Sequence, residues 1–175
     1  MEILFLSAAA AWAAVAAVWD ITSRRIPNFV SYSGILVGIA LRTAVLGGHG
    51  LATALAGGAV AGGLFFLLYL VRGMGAGDVK LMAAVGCFAG VPAVFQILLA
   101  CALAGGIMAL AVAFYQSSAL RTLRNVWDLL RFHAVHGAQV HPTLNIDNPQ
   151  ATRLPYAIAI AAGSGYALLD ALLAR

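Results

Sequence analysis

The feature that most constrains this chain is the length of its uncharged apolar runs. Of its 175 residues, 63% are hydrophobic and only 9% are charged, and the mean hydropathy is +0.96. Soluble domains have about 25% charged residues and about 45–50% apolar ones, and disordered chains combine low hydrophobicity with high charge. Both classes are therefore excluded. The composition predicts an all-α, polytopic membrane protein with a single domain over residues 1–175.

Six of the apolar runs are interpreted as transmembrane helices. A spanning helix needs about 20 apolar residues, with a range of about 17–25. The first run is interpreted as a permanent span, because a signal peptide opens with positive charge and the early charge here is Glu2. Glycines four residues apart within the runs predict close packing between helices. The predicted spans cover residues 3–19, 29–46, 51–71, 79–91, 93–115 and 154–174.

Lysine and arginine are distributed unevenly between alternate connections. The connections after the odd-numbered spans contain eight of the ten cations, and the opposite side contains two. Under the positive-inside rule this bias predicts that the eight face the cytoplasm and that both termini lie outside. The predicted cytoplasmic cations are Arg24, Arg25, Arg72, Lys80, Arg121, Arg124, Arg131 and Arg153, and the outer ones are Arg42 and Arg175.

The fourth predicted span is short. Residues 79–91 would extend only about 20 Å at 1.5 Å per residue, and Pro92 is predicted to break the helix before the fifth span. Either the helix continues past Pro92 with a kink, or it starts below the membrane surface and residues 73–77 dip into the bilayer. We favour the second arrangement, which requires that the irregular backbone line protein or a water-filled cavity.

Two of the six carboxylates stand where a charge is costly. Asp20 directly follows Trp19 at the end of the first span, and Asp78 opens the fourth, so the predicted topology brings both to the cytoplasmic face although 57 residues separate them. A charge costs about 2.5–3.5 kcal/mol at the centre of a membrane helix. Two carboxyl groups that share a proton supply a general base and a general acid. The alternative is that each acid only marks a helix end beside a basic residue.

The residues before Asp78 favour the catalytic interpretation. Residues 73–78 read Gly-Met-Gly-Ala-Gly-Asp, with glycines at alternate positions. Glycine permits positive φ and the close approach of another backbone. A GxGD sequence that ends a loop and opens a membrane helix is far more specific than an isolated GxG.

These motifs resemble those of the type IV prepilin peptidases, which are GxGD aspartic proteases of the membrane. The resemblance is carried by residues 20–28 (DITSRRIPN) and residues 75–81 (GAGDVKL). Residues 154–159 (LPYAIA) also resemble the proline-aromatic segment that opens the family's last span. The resemblance extends over essentially the whole chain.

The resemblance implies roles for five residues. Asp20 and Asp78 match the family's catalytic aspartates, Gly75 and Gly77 its active-site loop, and Lys80 a basic residue beside it. It implies removal of the short basic leader of a prepilin or pseudopilin at the cytoplasmic face of the bacterial inner membrane, with the lipid bilayer and the pilus-assembly machinery as partners. Larger family members carry CxxC motifs and methylate the new pilin N-terminus. This chain has no CxxC and therefore resembles the short Tad/Flp-type form.

The implied chemistry calls for no cofactor and no metal ion. Asp20 and Asp78 would hold one water and share one proton. Helix dipoles would assign Asp78, at a helix N-terminus, as the base and Asp20, at a C-terminus, as the acid. The charges of Arg24 and Arg25, however, act on Asp20 in the opposite direction. His133, His136 and His141 have no Cys or acid at ligand spacing. The basic residues report membrane orientation, so no nucleic-acid partner is expected.

Residues 120–131 have a different pattern from the spans. Leu120, Leu123, Trp127 and Leu130 recur at helical spacing, with arginines between them. This pattern predicts an amphipathic helix on the cytoplasmic leaflet, with its apolar side in lipid and its cations toward anionic headgroups.

Two other functions compete with the peptidase. A small six-span transporter or channel is compatible with the apolar runs, but transporter sites lie near the bilayer midplane, often between inverted repeats. The sequence has no internal repeat and no acid in the middle of a span. A noncatalytic pilus-assembly factor would keep the fold, but the presence of both Asp20 and Asp78 favours the enzyme.

Overall fold

The computed structural model describes residues 1–116, 119–148 and 154–174, and the regular elements in these residues are all helices. Three of them, α1, α2 and α3, are long and apolar enough to cross a membrane, and α5 is a shorter apolar helix. The chain is thus a helical membrane protein, as its composition predicts. Arg153 and Arg175, two of the cations used to predict orientation, lie outside the described residues. The helices are α1 (Glu2–Ser23), α2 (Asn28–Leu70), α3 (Ala76–Tyr115), α4 (Ala119–His136) and α5 (Ala157–Leu173).

α2 is a helical hairpin. As one straight helix its 43 residues would extend about 65 Å, about twice the thickness of a bilayer core. Gly47, with φ 60° and ψ −142°, interrupts it. Gly50 then lies against the backbone carbonyl of Arg42, a contact that requires the chain to turn back on itself. Residues 28–46 form the first arm of the hairpin and residues 48–70 form the second arm.

α3 is interrupted at Gly90, where φ is 72° and ψ is 173°. The sequence predicts the break at Pro92, and the structure places it two residues earlier. Glycine tolerates this positive φ, whereas Pro92 stands at the beginning of the next helical segment, where a backbone N–H is not needed. The helix begins at Ala76, so Gly77 and Asp78 belong to its first turn rather than to the preceding loop.

Glycines allow both arms of α2 to approach the first half of α3, residues 76–89. Gly57 in the second arm and Gly86 in α3 lie backbone to backbone, so a side chain on either would collide with the carbonyl of the other. Such side-chain-free contacts are how membrane helices reach close packing. The pairs in contact show that the first arm runs parallel to this half of α3 and the second antiparallel to it. They are Asn28 with Lys80 and Gly38 with Phe88 in the first arm, and Gly62 with Ala83 and Gly57 with Gly86 in the second.

Arg42 lies inside the bundle, a position that the charge count, which assigns only a side of the membrane, does not predict. Its side chain is only 7% exposed. Nη1 donates hydrogen bonds to the carbonyl oxygens of Phe88 (2.9 Å) and Ala89 (2.8 Å), and the guanidinium lies 4.5 Å from the ring centroid of Phe5. The break at Gly90 leaves these carbonyls without helical N–H partners. Arg42 therefore caps the first half of α3.

α1 and α5 complete the bundle against α3. In α1, Trp12 Nε1 donates to the carbonyl of Val30 at 2.9 Å, which ties α1 to the first arm of α2. In α5, Gly163 lies against the backbone of Ile97 and Cys101 in the second half of α3. The core between these helices combines many alanines with larger buried side chains such as those of Leu81, Met82 and Ile160.

We predict that Gly57→Ala destabilises the protein while Gly63→Ala does not. The methyl group at residue 57 would collide with the backbone of Gly86, and overpacking of this kind costs about 1–3 kcal/mol. No atom lies within 4 Å of a Cβ at residue 63, so that change should stay within about 0.5 kcal/mol. Unfolding of the two purified variants in detergent measures both values. Equal stability would contradict the close α2–α3 contact.

Candidate active site

The last turn of α1 and the first turns of α3 and α5 meet at one end of the bundle, called here the site end. Asp20, in the last turn of α1, is 8% exposed, and its Oδ2 accepts a hydrogen bond from the backbone N–H of Ala157 at 3.3 Å. Asp78, partly buried in the first turn of α3, is close enough to Asp20 for the two carboxyl groups to interact electrostatically. The fold thus brings together two acids that have 57 residues between them in the sequence.

The glycine-rich turn contributes space rather than unusual backbone angles. Gly75 has φ −81° and ψ 150°, which any residue can adopt. Its backbone N–H donates to the carboxyl group of Asp78, and a Cβ on Gly75 would stand 3.3 Å from Asp78 Oδ2. Gly77 faces the side chain of Ile26, which a Cβ would approach to 3.4 Å. A positive φ occurs just before this turn, at Arg72 (φ 56°).

Lys80 lies two residues after Asp78, and its ammonium group contacts α2 rather than the acids. Nζ donates to Asn28 Oδ1 at 2.9 Å and lies 5.0 Å from the ring centroid of Tyr32. A cation over an aromatic ring is attracted by the electron-rich face. Lys80 therefore ties the start of α3 to the start of α2, which helps to fix the position of Asp78.

Tyr156 is a site residue that the sequence analysis did not single out. It precedes α5, and its hydroxyl group is hydrogen-bonded to Cys101 and interacts electrostatically with Asp78. Its ring packs edge-on against Phe65, with centroids 5.9 Å apart, and lies over Gly105. The LPYAIA segment that contains Tyr156 was the available signal, because it resembles the proline-aromatic segment of the family.

This arrangement is equipped for general acid–base chemistry. Each carboxyl group accepts a backbone N–H, from Ala157 for Asp20 and from Gly75 for Asp78. An ionised carboxyl group has about four acceptor positions, so each keeps further capacity for water. Two interacting carboxyl groups that share a proton can remove a proton from one side of a substrate and donate one to the other.

Comparison with known proteins gives a family match. Residues 7–110 match the model of the type IV leader peptidase family. That range includes Asp20, Asp78 and the glycine-rich turn between α2 and α3. No curated protein and no solved structure matches the chain.

We predict that Gly105→Ala uncovers Cys101, whereas Gly106→Ala leaves it protected. A methyl group at residue 105 would stand 2.7–2.8 Å from the ring and hydroxyl of Tyr156 and displace them. Cys101, which is fully buried, would lose its cover. At residue 106 no atom lies within 4 Å of a Cβ.

The measurement is the rate at which a thiol-alkylating reagent modifies Cys101, assigned by peptide mapping so that Cys87 is counted separately. Alkylation should be severalfold faster in Gly105→Ala than in the wild type, because local opening controls access to a buried group. If both alanine variants react as slowly as the wild type, Tyr156 does not cover Cys101.

Proposed function

Because the chain belongs to the type IV leader peptidase family, we propose that it is a membrane-embedded aspartic endopeptidase. Its substrates are prepilins of the Flp/Tad type or pseudopilins, from which it removes the short N-terminal leader. The observation that carries the proposal is the convergence of Asp20 and Asp78 at the site end. The absence of CxxC motifs supports the Flp/Tad assignment, since this matches the short form of the family.

The proposed enzyme crosses the bacterial inner membrane six times and works at its cytoplasmic face. The spans are α1, the two arms of α2, the two halves of α3 and α5. The breaks at Gly47 and Gly90 support this division, because they cut two overlong helices into pieces closer to a bilayer thickness. Arg24, Arg25 and Arg72 flank the site end, and the positive-inside rule then favours a cytoplasmic site with both termini outside.

In the proposed mechanism one water is held between Asp20 and Asp78, which share a single proton. The carboxylate accepts a proton from the water as its oxygen attacks the scissile carbonyl carbon. The protonated carboxyl group donates its proton to the carbonyl oxygen, which gives a neutral tetrahedral diol. The carboxyl group that is now protonated donates its proton to the amide nitrogen, and the other carboxylate takes a proton from one hydroxyl of the diol. The C–N bond then breaks to give a carboxylic acid and an amine, and the pair again holds one proton.

The hydrogen bond that Asp20 accepts argues against assigning the acid and base roles from helix dipoles alone. The sequence analysis assigns Asp78 as the base because it begins a helix and Asp20 as the acid because it ends one. Asp20, however, also accepts an N–H from the first residue of α5, so both acids stand at the positive end of a helix dipole. We therefore propose that the proton belongs to the pair and that the two roles exchange during the cycle.

We predict that Asp20→Asn and Asp78→Asn each lower leader removal by at least about 10²-fold, the size of effect expected when a general acid or base is lost. Asparagine keeps the shape of the side chain but neither accepts nor donates the proton. The assay is a mobility shift of a Flp-type prepilin in membranes with the enzyme. Asp128→Asn, at an exposed acid on α4, is the matched control and should cleave as the wild type does.

The outcomes distinguish the parts of the proposal. Near-normal cleavage by either asparagine variant, at equal abundance, would remove that aspartate from the mechanism. If the wild type cleaves a pseudopilin but no Flp-type prepilin, the peptidase assignment stands and the Flp/Tad assignment fails. If the wild type cleaves neither substrate class, the catalytic function is wrong.

We also predict that leader removal has both an acidic and an alkaline limb in its dependence on pH. The reaction needs one proton on the pair: a second proton at low pH blocks the base, and loss of the shared proton at high pH removes the acid. The cleavage rate in open membrane fragments, measured as the pH of the buffer is varied, gives the profile. A rate that stays constant down to about pH 4, near the ordinary value for a carboxyl group, would contradict a shared proton.

A further inference from the structure

α4 carries a continuous apolar surface that the rest of the described chain leaves uncovered. Leu120, Leu123 and Trp127 are 86%, 69% and 67% exposed, and Val126 and Leu130 are exposed as well. At about 100° per residue these side chains fall on one side of the helix. We call these five residues the apolar stripe. Exposed apolar patches of this kind are typical of membrane or protein interaction sites.

Cations flank the apolar stripe along one side of α4. Arg121, Arg124 and Arg131 are all exposed, and the acid on this helix is Asp128. α4 therefore has a net positive, amphipathic surface. An apolar stripe flanked by arginines is complementary to the headgroup region of an anionic leaflet, where the apolar side chains reach the acyl boundary and the cations meet lipid phosphates.

The connection that contains α4 is attached to the site end. The backbone N–H of Ile146 donates to the carbonyl of Arg72 at 2.9 Å, and the Arg72 guanidinium lies 3.4 Å from the carboxylate of Asp147. Arg72 directly precedes the glycine-rich turn that leads to Asp78. Residues 146–147 are thus held at the end of the second arm of α2. A membrane span that ends there puts these residues close to the lipid headgroups.

The other side of α4 faces the residues that follow this helix in the chain. Phe132, on that side, has its ring centroid 4.7 Å from that of His141. Leu129 is partly buried. The residues after α4 therefore lie against this side of the helix, whereas the apolar stripe is exposed. A helix lying on a bilayer needs this orientation.

We propose that α4 is a lipid-binding helix that lies in the surface of the anionic leaflet at the site end, with the apolar stripe in lipid and its three arginines on acidic headgroups. It fixes the connection against the membrane beside the turn that carries Asp78. The proposal rests on the membrane class of the chain and does not depend on its peptidase activity.

The test places a fluorescent label at one of two positions that are both exposed in the protein. Leu123→Cys puts an environment-sensitive dye on the apolar stripe, and Asp128→Cys puts it on the polar side, the matched control. Both residues are exposed, whereas Cys87 and Cys101 are buried and give little background. The full-length protein is reconstituted into vesicles of phosphatidylcholine with phosphatidylglycerol, and into vesicles of phosphatidylcholine alone.

In anionic vesicles the label at residue 123 should be quenched by a nitroxide-labelled lipid and protected from aqueous iodide, and the label at residue 128 should respond in the reverse way. Changing Arg121, Arg124 and Arg131 to glutamine should reduce the quenching of the label at residue 123 by the nitroxide-labelled lipid. Each arginine near the headgroups is expected to contribute about fivefold to the partitioning of the helix onto the anionic surface. The same label should be less protected in vesicles of phosphatidylcholine alone.

Two results would overturn the proposal. The first is equal access of iodide to both labels in anionic vesicles, which would place the apolar stripe in water. The second is a label at residue 123 that is shielded from both quenchers and becomes more shielded as the protein density in the vesicles rises. That result would assign the stripe to contact with a second copy of the chain.

Discussion

The rest of the structure depends on the contact between two side-chain-free backbones, Gly57 in α2 and Gly86 in α3. Inside a bilayer no hydrophobic force drives helices together, so association relies on van der Waals contact and interhelical hydrogen bonds. A side chain at either glycine would hold the helices apart. Their close approach positions the first half of α3, and with it the turn in which Asp78 meets Asp20.

Polar groups lie at both ends of the first half of α3, but they differ in how fully their hydrogen-bonding capacity is used. At one end Arg42 donates hydrogen bonds to the carbonyls of Phe88 and Ala89, which the break at Gly90 leaves without helical partners. At the other end Asp20 and Asp78 each accept one N–H and keep capacity for water. Buried polar groups with satisfied partners add rigidity, whereas a carboxyl pair with spare acceptors can do chemistry. In the proposed enzyme the hydrogen bonds of Arg42 therefore help to hold α3 in the position that places Asp78 beside Asp20.

The site end is also where the proposed lipid-binding helix is attached, through the contact between Arg72 and Ile146. A peptidase whose substrate has a basic leader in water and an apolar helix in lipid needs its acids at the boundary between the two. Asp20 and Asp78 stand at helix ends rather than in the middle of spans, which suits that position. If α4 is bound to the leaflet beside these two acids, the chain between α3 and α5 is kept from covering the site.

Sequence by itself determined the class, the family and the two candidate acids. The composition predicted a helical membrane protein, and the GxGD motif with the residues after Asp20 indicated the family that residues 7–110 match. Sequence missed the burial of Arg42, the contribution of Tyr156, the partner of Lys80 and the break at Gly90 rather than Pro92. Local patterns report hydrophobicity and backbone preference, which are properties of short segments. A buried cation and the end of a helix each find their hydrogen-bond partners in another helix. The partners of Arg42, Lys80 and Tyr156 were therefore decided only by the tertiary packing of α1, α2, α3 and α5.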